Sequence, residues 1–136
     1  MYKKVLVPVT LDHEPNIAAA LDVARALLES GGEIMLLHVM EEIPGFIAAQ
    51  IPEGTIEKNL DETGADLAAI AKNAGSHVKS SVVVGHASRS ILDFSEENGS
   101  DCIVITSHRP GLQDYLLGST AARVVRHATC SVHVIR

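Results

Sequence analysis

Five short runs of apolar, mostly β-branched residues recur along the chain, separated by longer stretches with a helical pattern. Within each run the apolar positions are near-continuous, which is typical of strands that are covered on both faces of a sheet. The sequence therefore predicts five strands: Val5–Val9, Ile34–Val39, Val78–Val84, Cys102–Ile105 and Val132–Ile135.

Four amphipathic helices are predicted between these strands, because apolar residues recur there at the spacing of one helix face. They begin at Asn16, Thr55 and Ala87, and the last runs from about Ser119 to His127.

Three details of the helices follow from their residues. Ser30-Gly31-Gly32 is expected to end the first helix. Gly64 weakens the second helix by about 1 kcal/mol relative to alanine, so a break or bend is expected to be tolerated there. The inward face of the last helix is expected to comprise Ala121, Val124, Val125 and Ala128.

The strict alternation of strands and helices predicts the α/β class: a three-layer sandwich whose parallel sheet carries helices on both faces. The 136 residues contain no repeat and no long linker, so one domain, 1–136, is expected. The longest irregular segment is Met40–Gly54, and segments of that length are commonly functional or mobile.

Ligands of such sheets bind beyond the carboxyl ends of the strands. The segments predicted to lie there are Pro8–Asp12, Val39–Met40, Gly85–His86 and Thr106–Ser119.

Composition excludes several classes of protein. The formal charge of −6, two Tyr, two Phe and no Trp argue against nucleic acid or an anionic membrane as a partner. Met1–Val9 resembles a signal peptide only faintly, and no segment is long enough to cross a membrane. Cys102 and Cys130 are expected to be buried, reduced thiols of a cytoplasmic protein. No pair of histidines has a metal-ligand spacing, so no metal site is predicted.

The residues Gly118-Ser119-Thr120 are the first candidate for chemistry. The chain has neither the Walker phosphate loop nor the G-x-G-x-x-G dinucleotide fingerprint. The free N–H groups of a first helical turn attract anions, and glycine lets a phosphate approach the backbone. The alternative is that Ser119 only caps the helix.

The loop Ser107-His108-Arg109-Pro110-Gly111 follows the fourth strand and faces the same rim. Arg109 could bind a phosphate through two nitrogens, and His108 could donate a hydrogen bond to one. The alternative is a solvated loop in which Arg109 pairs with Asp114.

Two segments resemble the universal stress protein family. Val5-Leu6-Val7-Pro8-Val9 is similar to its first strand, and Ile103–Arg109 with Tyr115–Val132 is similar to its C-terminal signature. The resemblance covers the whole chain in element order and is dense over Cys102–Arg136. The Ser-His-Arg-Pro loop further resembles small bacterial members of the F and G types.

The resemblance implies an adenine nucleotide alpha hydrolase-like fold with strand order 3-2-1-4-5 and a bound ATP, AMP or ADP. Pro8, Val9 and Val39 would line the adenine slot, although they could simply be buried strand ends. Gly85 would lie near the sugar or serve only as a turn residue. The phosphates would be held by Thr106, His108, Arg109, Gly118, Ser119 and Thr120.

Two departures from the family pattern concern metal and loop geometry. Thr10 stands where the family usually has aspartate, so it could bond a ribose but brings no charge to Mg²⁺, and bound magnesium is left open. Thr106 and Arg109 stand where the family has glycines, in a loop one residue shorter than usual.

The resemblance also implies a homodimer that pairs through the last strand, by Val132, His133, Val134 and Ile135. The sequence thus predicts a cytoplasmic stress-response regulator with an unknown protein partner and little or no catalysis. Asp12 is the nearest candidate for a general base. The alternatives are a nucleotide-free dimer that acts through protein contacts, and a slow ATPase.

Overall fold

The computed structural model describes residues 1–11, 14–107 and 118–136, with only the backbone at positions 14 and 15. Its strands are β1 (Tyr2–Pro8), β2 (Leu28–Met40), β3 (Val78–Val84), β4 (Cys102–Thr106) and β5 (Ser131–Ile135). Its helices are α1 (Glu14–Leu27), α2 (Gly45–Ala48), α3 (Thr55–Ala74), α4 (Ala87–Glu97) and α5 (Ser119–His127).

The strands form one parallel sheet in the order β3-β2-β1-β4-β5, which confirms the predicted class and strand order. Successive residues of the central strands face opposite sides, so two apolar clusters form. Val5 and Val7 of β1 pack under α1 and α3, whereas Leu6 packs under α4 and α5. The central strands are therefore covered on both faces, as their continuous apolar runs predict.

Several boundaries differ from the sequence prediction. Helix α1 starts at Glu14 and ends at Leu27, and the chain enters β2 at Leu28. The predicted stop at Ser30-Gly31-Gly32 is therefore wrong, although Gly31 does take a left-handed conformation with φ of 82°. Helix α3 passes through Gly64 without interruption, so no break forms there.

The segment Met40–Gly54 was predicted to be irregular, but part of it has regular structure. Met40 is the last residue of β2, and α2 forms one helical turn within the segment. Pro44 starts this turn, because its carbonyl accepts hydrogen bonds from the N–H groups of Ile47 and Ala48 at 3.0 and 2.9 Å. Short turns with proline at the start are compatible with its fixed φ.

The inward face of α5 is narrower than predicted. Ala121 and Val124 are buried and Ala128 is half-buried, but Val125 is 46% exposed. A nine-residue helix lying on a sheet presents only one stripe to it, and Val125 falls outside that stripe. Helix α5 thus exposes a large apolar side chain between arginines.

Across the described residues, no helix combines the length and the apolar content needed to cross a bilayer.

Candidate functional site

We name the region at the carboxyl ends of β1 and β4 the crevice. The β1–β2 ladder continues to Pro8 opposite Leu37, and the β4–β5 ladder continues to Thr106 opposite Ile135. The β1–β4 ladder, by contrast, comprises only Val5 opposite Cys102 and Leu6 opposite Ile103. Beyond Leu6 and Ile103, β1 and β4 thus each stay paired to the outer neighbour, and no ladder pair joins them to each other.

The position of this crevice is the switch point of the sheet. The chain leaves β1 to form β2 and β3 on one side, and then crosses to form β4 and β5 on the other. The connections after β1 and β4 therefore run in opposite directions, which leaves room for a ligand between them.

One wall of the crevice is the end of β1, and His38 holds it against β2. The N–H of Val9 donates to the Leu37 carbonyl at 2.8 Å. The Val9 carbonyl lies 3.0 Å from Nδ1 of His38, and a carbonyl can only accept, so Nδ1 carries the proton in this contact. His38 therefore continues the β1–β2 attachment beyond the last ladder pair. The sequence predicted the strand Ile34–Val39 and assigned no role to His38, and the structure extends this strand to Met40.

The predicted base-binding residues lie on this wall. Pro8 and Val39 are half-buried, Val9 is buried at 9% exposure, and Thr10 is exposed. Val39 packs against the cluster under α4 and α5. The residues thus combine an apolar surface with one accessible hydroxyl, the usual make-up of a small-molecule site.

The other wall is formed where β4 ends beside the start of α5. Ser107 is buried, and both its N–H and its Oγ donate to the Ile135 carbonyl, at 2.9 and 3.4 Å. Gly118 lies against the Ser107 backbone, since a Cβ placed on it would be 3.5 Å from the Ser107 carbonyl oxygen. Ser107 thus anchors the end of β4 to β5, a role that sequence reasoning missed.

The first turn of α5 offers free N–H groups at this wall. Gly118 is the N-cap and supplies no side-chain cap, and the first intrahelical bond runs from the Ala122 N–H to the Gly118 carbonyl at 2.9 Å. The capping role that Ser119 could have had is therefore not its role here, because Ser119 is the first helical residue. Ser119 is exposed and Thr120 half-buried. Such a turn attracts anions through its N–H groups and the helix dipole.

Gly85 lies at the same edge but two strands from the crevice, at the end of β3. Its φ is 157°, its N–H donates to the Met40 carbonyl at 2.9 Å, and a Cβ on it would lie 2.6 Å from Oγ of Ser90. These contacts account for glycine as a turn residue, and contact with a sugar stays a prediction.

The two cysteines lie on opposite faces of the sheet. Cys102 is buried in the cluster under α1 and α3, whereas Cys130 is only half-buried and packs on the cluster under α4 and α5. The expectation that both are buried is therefore correct for Cys102 alone. Burial, with smaller contributions from Cys130 and Asp101, raises the pKa of Cys102 to about 11, which keeps this thiol protonated.

Among the residues that the structure describes, no three His, Cys, Asp or Glu side chains are placed to hold a metal ion. Asp12, His108 and Arg109, together with the predicted Arg109–Asp114 pair, lie outside the described residues.

Comparison with known proteins identifies the family of this chain. The model of the universal stress protein family matches residues 1–136. The chain belongs to the universal stress protein family. It is 31% identical over 145 residues to universal stress protein G of Salmonella typhimurium, with 100% of both chains covered. The resemblance drawn from the strand-one and C-terminal motifs is therefore confirmed.

Solved structures of this family share the fold. The structure of MJ0577, from Methanocaldococcus jannaschii, has a TM-score of 0.76 and 28% identity, covering 99% of this chain and 96% of that one. A universal stress protein described in complex with cAMP has a TM-score of 0.70, 17% identity and coverage of 99% and 97%. One from Archaeoglobus fulgidus, described in complex with dAMP, has a TM-score of 0.65, 22% identity and coverage of 99% and 98%.

Proposed function

We propose that this universal stress protein binds ATP, or AMP or ADP, in the crevice between β1 and β4. The observation that carries the proposal is the early end of the β1–β4 ladder, which lies at the switch point of the sheet beside the α5 N-terminus. Two structures of the same fold are described with adenine nucleotides, cAMP and dAMP, which supports this ligand class.

The base and ribose would occupy the β1 wall. Pro8, Val9 and Val39 would contact the adenine ring, and backbone groups would read its edge. Thr10 would donate to or accept from a ribose hydroxyl, since its side chain is exposed. Gly85 stands further out and would at most approach the sugar.

The phosphates would occupy the α5 wall. The N–H groups behind Gly118 and the hydroxyls of Ser119 and Thr120 would donate to phosphate oxygens. Thr106 ends β4 beside them, and His108 and Arg109 follow in sequence and would add charged donors. A bound Mg²⁺ would find a neutral oxygen at Thr10 rather than the family's carboxylate.

The nucleotide would act as a regulatory ligand with little or no turnover. Around the crevice, the described side chains of Thr10, Thr106, Ser107, Ser119 and Thr120 are hydroxyls, which are poor general bases without a neighbouring base. Asp12 is the nearest carboxylate in sequence. We propose that nucleotide binding changes the surface that an unidentified protein partner contacts.

We further propose that the single domain, 1–136, forms a homodimer through β5. This strand is at one edge of the sheet. The Ile135 carbonyl accepts from Ser107, so the N–H and carbonyl groups of Ile135 and His133 point toward β4, and those of Val132 and Val134 point outward. An apolar strand with an unpaired edge favours pairing with a second copy.

Val134→Pro tests the dimer, because it removes an outward N–H but no bond to β4. We expect this variant to stay folded and to lose the β5 association step that the wild type shows in sedimentation at micromolar concentration. His133→Pro is the matched variant, which removes an inward N–H and should lower the thermal midpoint. A wild-type monomer would contradict the proposed dimer.

Nucleotide binding is tested on freshly purified protein. Denaturation followed by chromatography should release an adenine nucleotide, and millimolar ATP should raise the thermal midpoint of the emptied protein. Gly118→Leu introduces a bulky side chain and should abolish both effects while the dimer stays folded. The matched variant is Gly118→Ala, whose methyl group fits the available space. No released nucleotide and no thermal shift would overturn the proposal.

The second candidate is a nucleotide-free dimer that acts only through protein contacts. Thr10 in place of the family's aspartate favours it, as do Thr106 and Arg109 in place of glycines. It predicts that Gly118→Leu leaves every function unchanged. The free thiols Cys102 and Cys130 agree with a cytoplasmic location for either candidate.

A further inference from the structure

The segment that carries α2 exposes an apolar surface with an acidic border. Ile43, Phe46 and Ile47 are 38%, 74% and 44% exposed. Residues 41–53 contain Glu41, Glu42 and Glu53 and no Lys, Arg or His. We name the surface formed by Glu41, Glu42, Ile43, Phe46 and Ile47 the acidic tip.

In the part of the chain that the structure describes, the hydrogen bonds around α2 stay within its own segment, residues 44–51. The N–H groups of residues 47–51 donate to carbonyls of residues 44–48, at 2.9–3.1 Å. None of the glutamates 41, 42 and 53 forms an ion pair with a described residue. The fold therefore does not use the exposed Phe46, and an exposed phenylalanine among other exposed apolar side chains typically marks a contact surface.

The exposed face of α5 has the complementary character. Arg123, Arg126 and His127 are exposed, and with Ala122 they line a shallow depression. Val125 is 46% exposed beside them. Residues 118–136 contain three arginines and no Asp or Glu, although the chain as a whole has a charge of −6. We name the surface formed by Ala122, Arg123, Val125, Arg126 and His127 the basic face.

The two surfaces do not meet within one chain. The acidic tip follows β2 and the basic face precedes β5, and β1 and β4 lie between these strands in the sheet. Phe46 and Val125 consequently both stay exposed. A second copy can bring them together, since each copy carries both surfaces.

We infer that the acidic tip of one chain docks on the basic face of a second copy. Phe46 would cover the Ala122 floor of the depression, Glu41 and Glu42 would approach Arg123 and Arg126, and both exposed apolar side chains would leave water. The contact joins two different surfaces, so a reciprocal pair closes a two-fold assembly, whereas single contacts link copies in a row. This interface is distinct from β5 pairing and does not require a bound nucleotide.

Complementary charge reversal tests the inference. Glu41→Lys with Glu42→Lys gives a chain with two basic surfaces, and Arg123→Glu with Arg126→Glu gives a chain with two acidic ones. For each variant alone, sedimentation velocity should show one association step fewer than for the wild type. The association constant of that step should be at least about tenfold lower. An equimolar mixture should regain it, because both contacts between unlike variants are attractive.

Three controls accompany the mixture. Lys58→Glu with Lys72→Glu on α3 changes the net charge by the same amount as Arg123→Glu with Arg126→Glu and should leave association unchanged. Phe46→Ser should weaken it without changing charge. Raising the salt from about 50 to about 500 mM should weaken the wild-type association, since exposed charges are screened. Circular dichroism checks that each variant is folded.

The outcome is separable from that of the β5 dimer. If both interfaces exist, the charge-reversed variants sediment as dimers and the wild type as a larger species. If only the tip contact exists, the variants are monomers. Equal sedimentation of the wild type and both charge-reversed variants at every concentration, or a mixture that behaves as the sum of its parts, would overturn the inference.

Discussion

The hydrogen bond from His38 to the Val9 carbonyl gives a quantitative test of how the crevice wall is held. The bond is 3.0 Å long, and Val9 is only 9% exposed. Leucine is similar in size to His38 but is apolar, so replacing His38 by leucine removes the hydrogen-bond donor. The Val9 carbonyl would then lose its side-chain partner at the point where β1 leaves the sheet.

The size of the effect depends on the partial burial of the His38–Val9 contact. An ordinary hydrogen bond contributes about 0.5–1.5 kcal/mol net, whereas leaving a buried acceptor unsatisfied costs about 1–3 kcal/mol. We expect the free energy of unfolding of His38→Leu to fall by about 1–2 kcal/mol, since leucine recovers part of the loss by apolar contact. His38→Asn is the matched control, because its amide nitrogen can donate from a position close to that of Nδ1.

Urea unfolding followed by circular dichroism measures both variants, since the chain has no Trp for fluorescence. Calorimetric titration with ATP gives the second readout. His38→Leu should also weaken nucleotide binding by misplacing Val9 and Thr10, and His38→Asn should restore it. If the free energy of unfolding of His38→Leu, like that of His38→Asn, lies within about 0.5 kcal/mol of the wild-type value, the bond does not hold the wall, and the reasoning is wrong.

Four further predictions concern the scaffold. Gly64→Ala should raise the free energy of unfolding by about 0.5–1 kcal/mol in the same urea assay, because Gly64 lies inside α3 with open space around its Cβ position. Asp101→Ala should lower the free energy of unfolding by about 2 kcal/mol, since the carboxylate accepts from the N–H groups of Lys3 and Lys4, both at 2.9 Å. A destabilisation below about 0.5 kcal/mol would contradict this prediction. Native protein treated with a disulfide reagent should be modified at Cys130 before Cys102 by mass spectrometry. The folded pKa of Cys102, about 11, lies above its ordinary value of 9.0, so its contribution to stability should be lost as the pH rises from about 9 to about 11, and Cys102→Ala should remove that loss.

One strand and three helix starts agree with the sequence prediction to the residue. They are strand β3 and the starts of the helices at Thr55, Ala87 and Ser119. Glycine or a hydroxyl residue lies near the ends of these elements. The α1–β2 junction was misjudged because the sheet already pairs Leu28 with Tyr2, and Gly31 lies within β2 despite its positive φ.

The errors have a common physical origin in tertiary contacts. Val125 fits an inward helical position by spacing alone, yet α5 crosses the sheet so that only a narrow stripe is covered. The α2 turn has no apolar period, and it forms through hydrogen bonds to the Pro44 carbonyl. Neither the orientation of a helix nor a single turn leaves a signal in the local pattern.

The candidate site was predictable in its place but not in its shape. The alternation of elements places Thr10 and Gly118 at one edge of the sheet. The early end of the β1–β4 ladder is a property of pairing between distant residues, and Val7 and Ile105 look like ordinary strand residues in the sequence. His38 and Ser107 escaped notice for the same reason, because their hydrogen-bond partners are 29 and 28 residues away.

The distribution of charged residues along the chain is more informative than the net charge of −6. The α5 wall of the crevice belongs to residues 118–136, which contain no acidic residue, so the anionic part of a nucleotide would meet no carboxylate from that wall. Helix α3 packs on the face of the sheet opposite to α5, and its exposed acids are expected to oppose binding little, because charges more than about 8 Å apart are largely screened at physiological ionic strength. The same segment supplies the basic face, so one stretch of sequence would serve a phosphate at the start of α5 and a protein surface near its end. A substitution that adds acid there, such as Thr120→Asp, should therefore weaken nucleotide binding far more than the same change on α3.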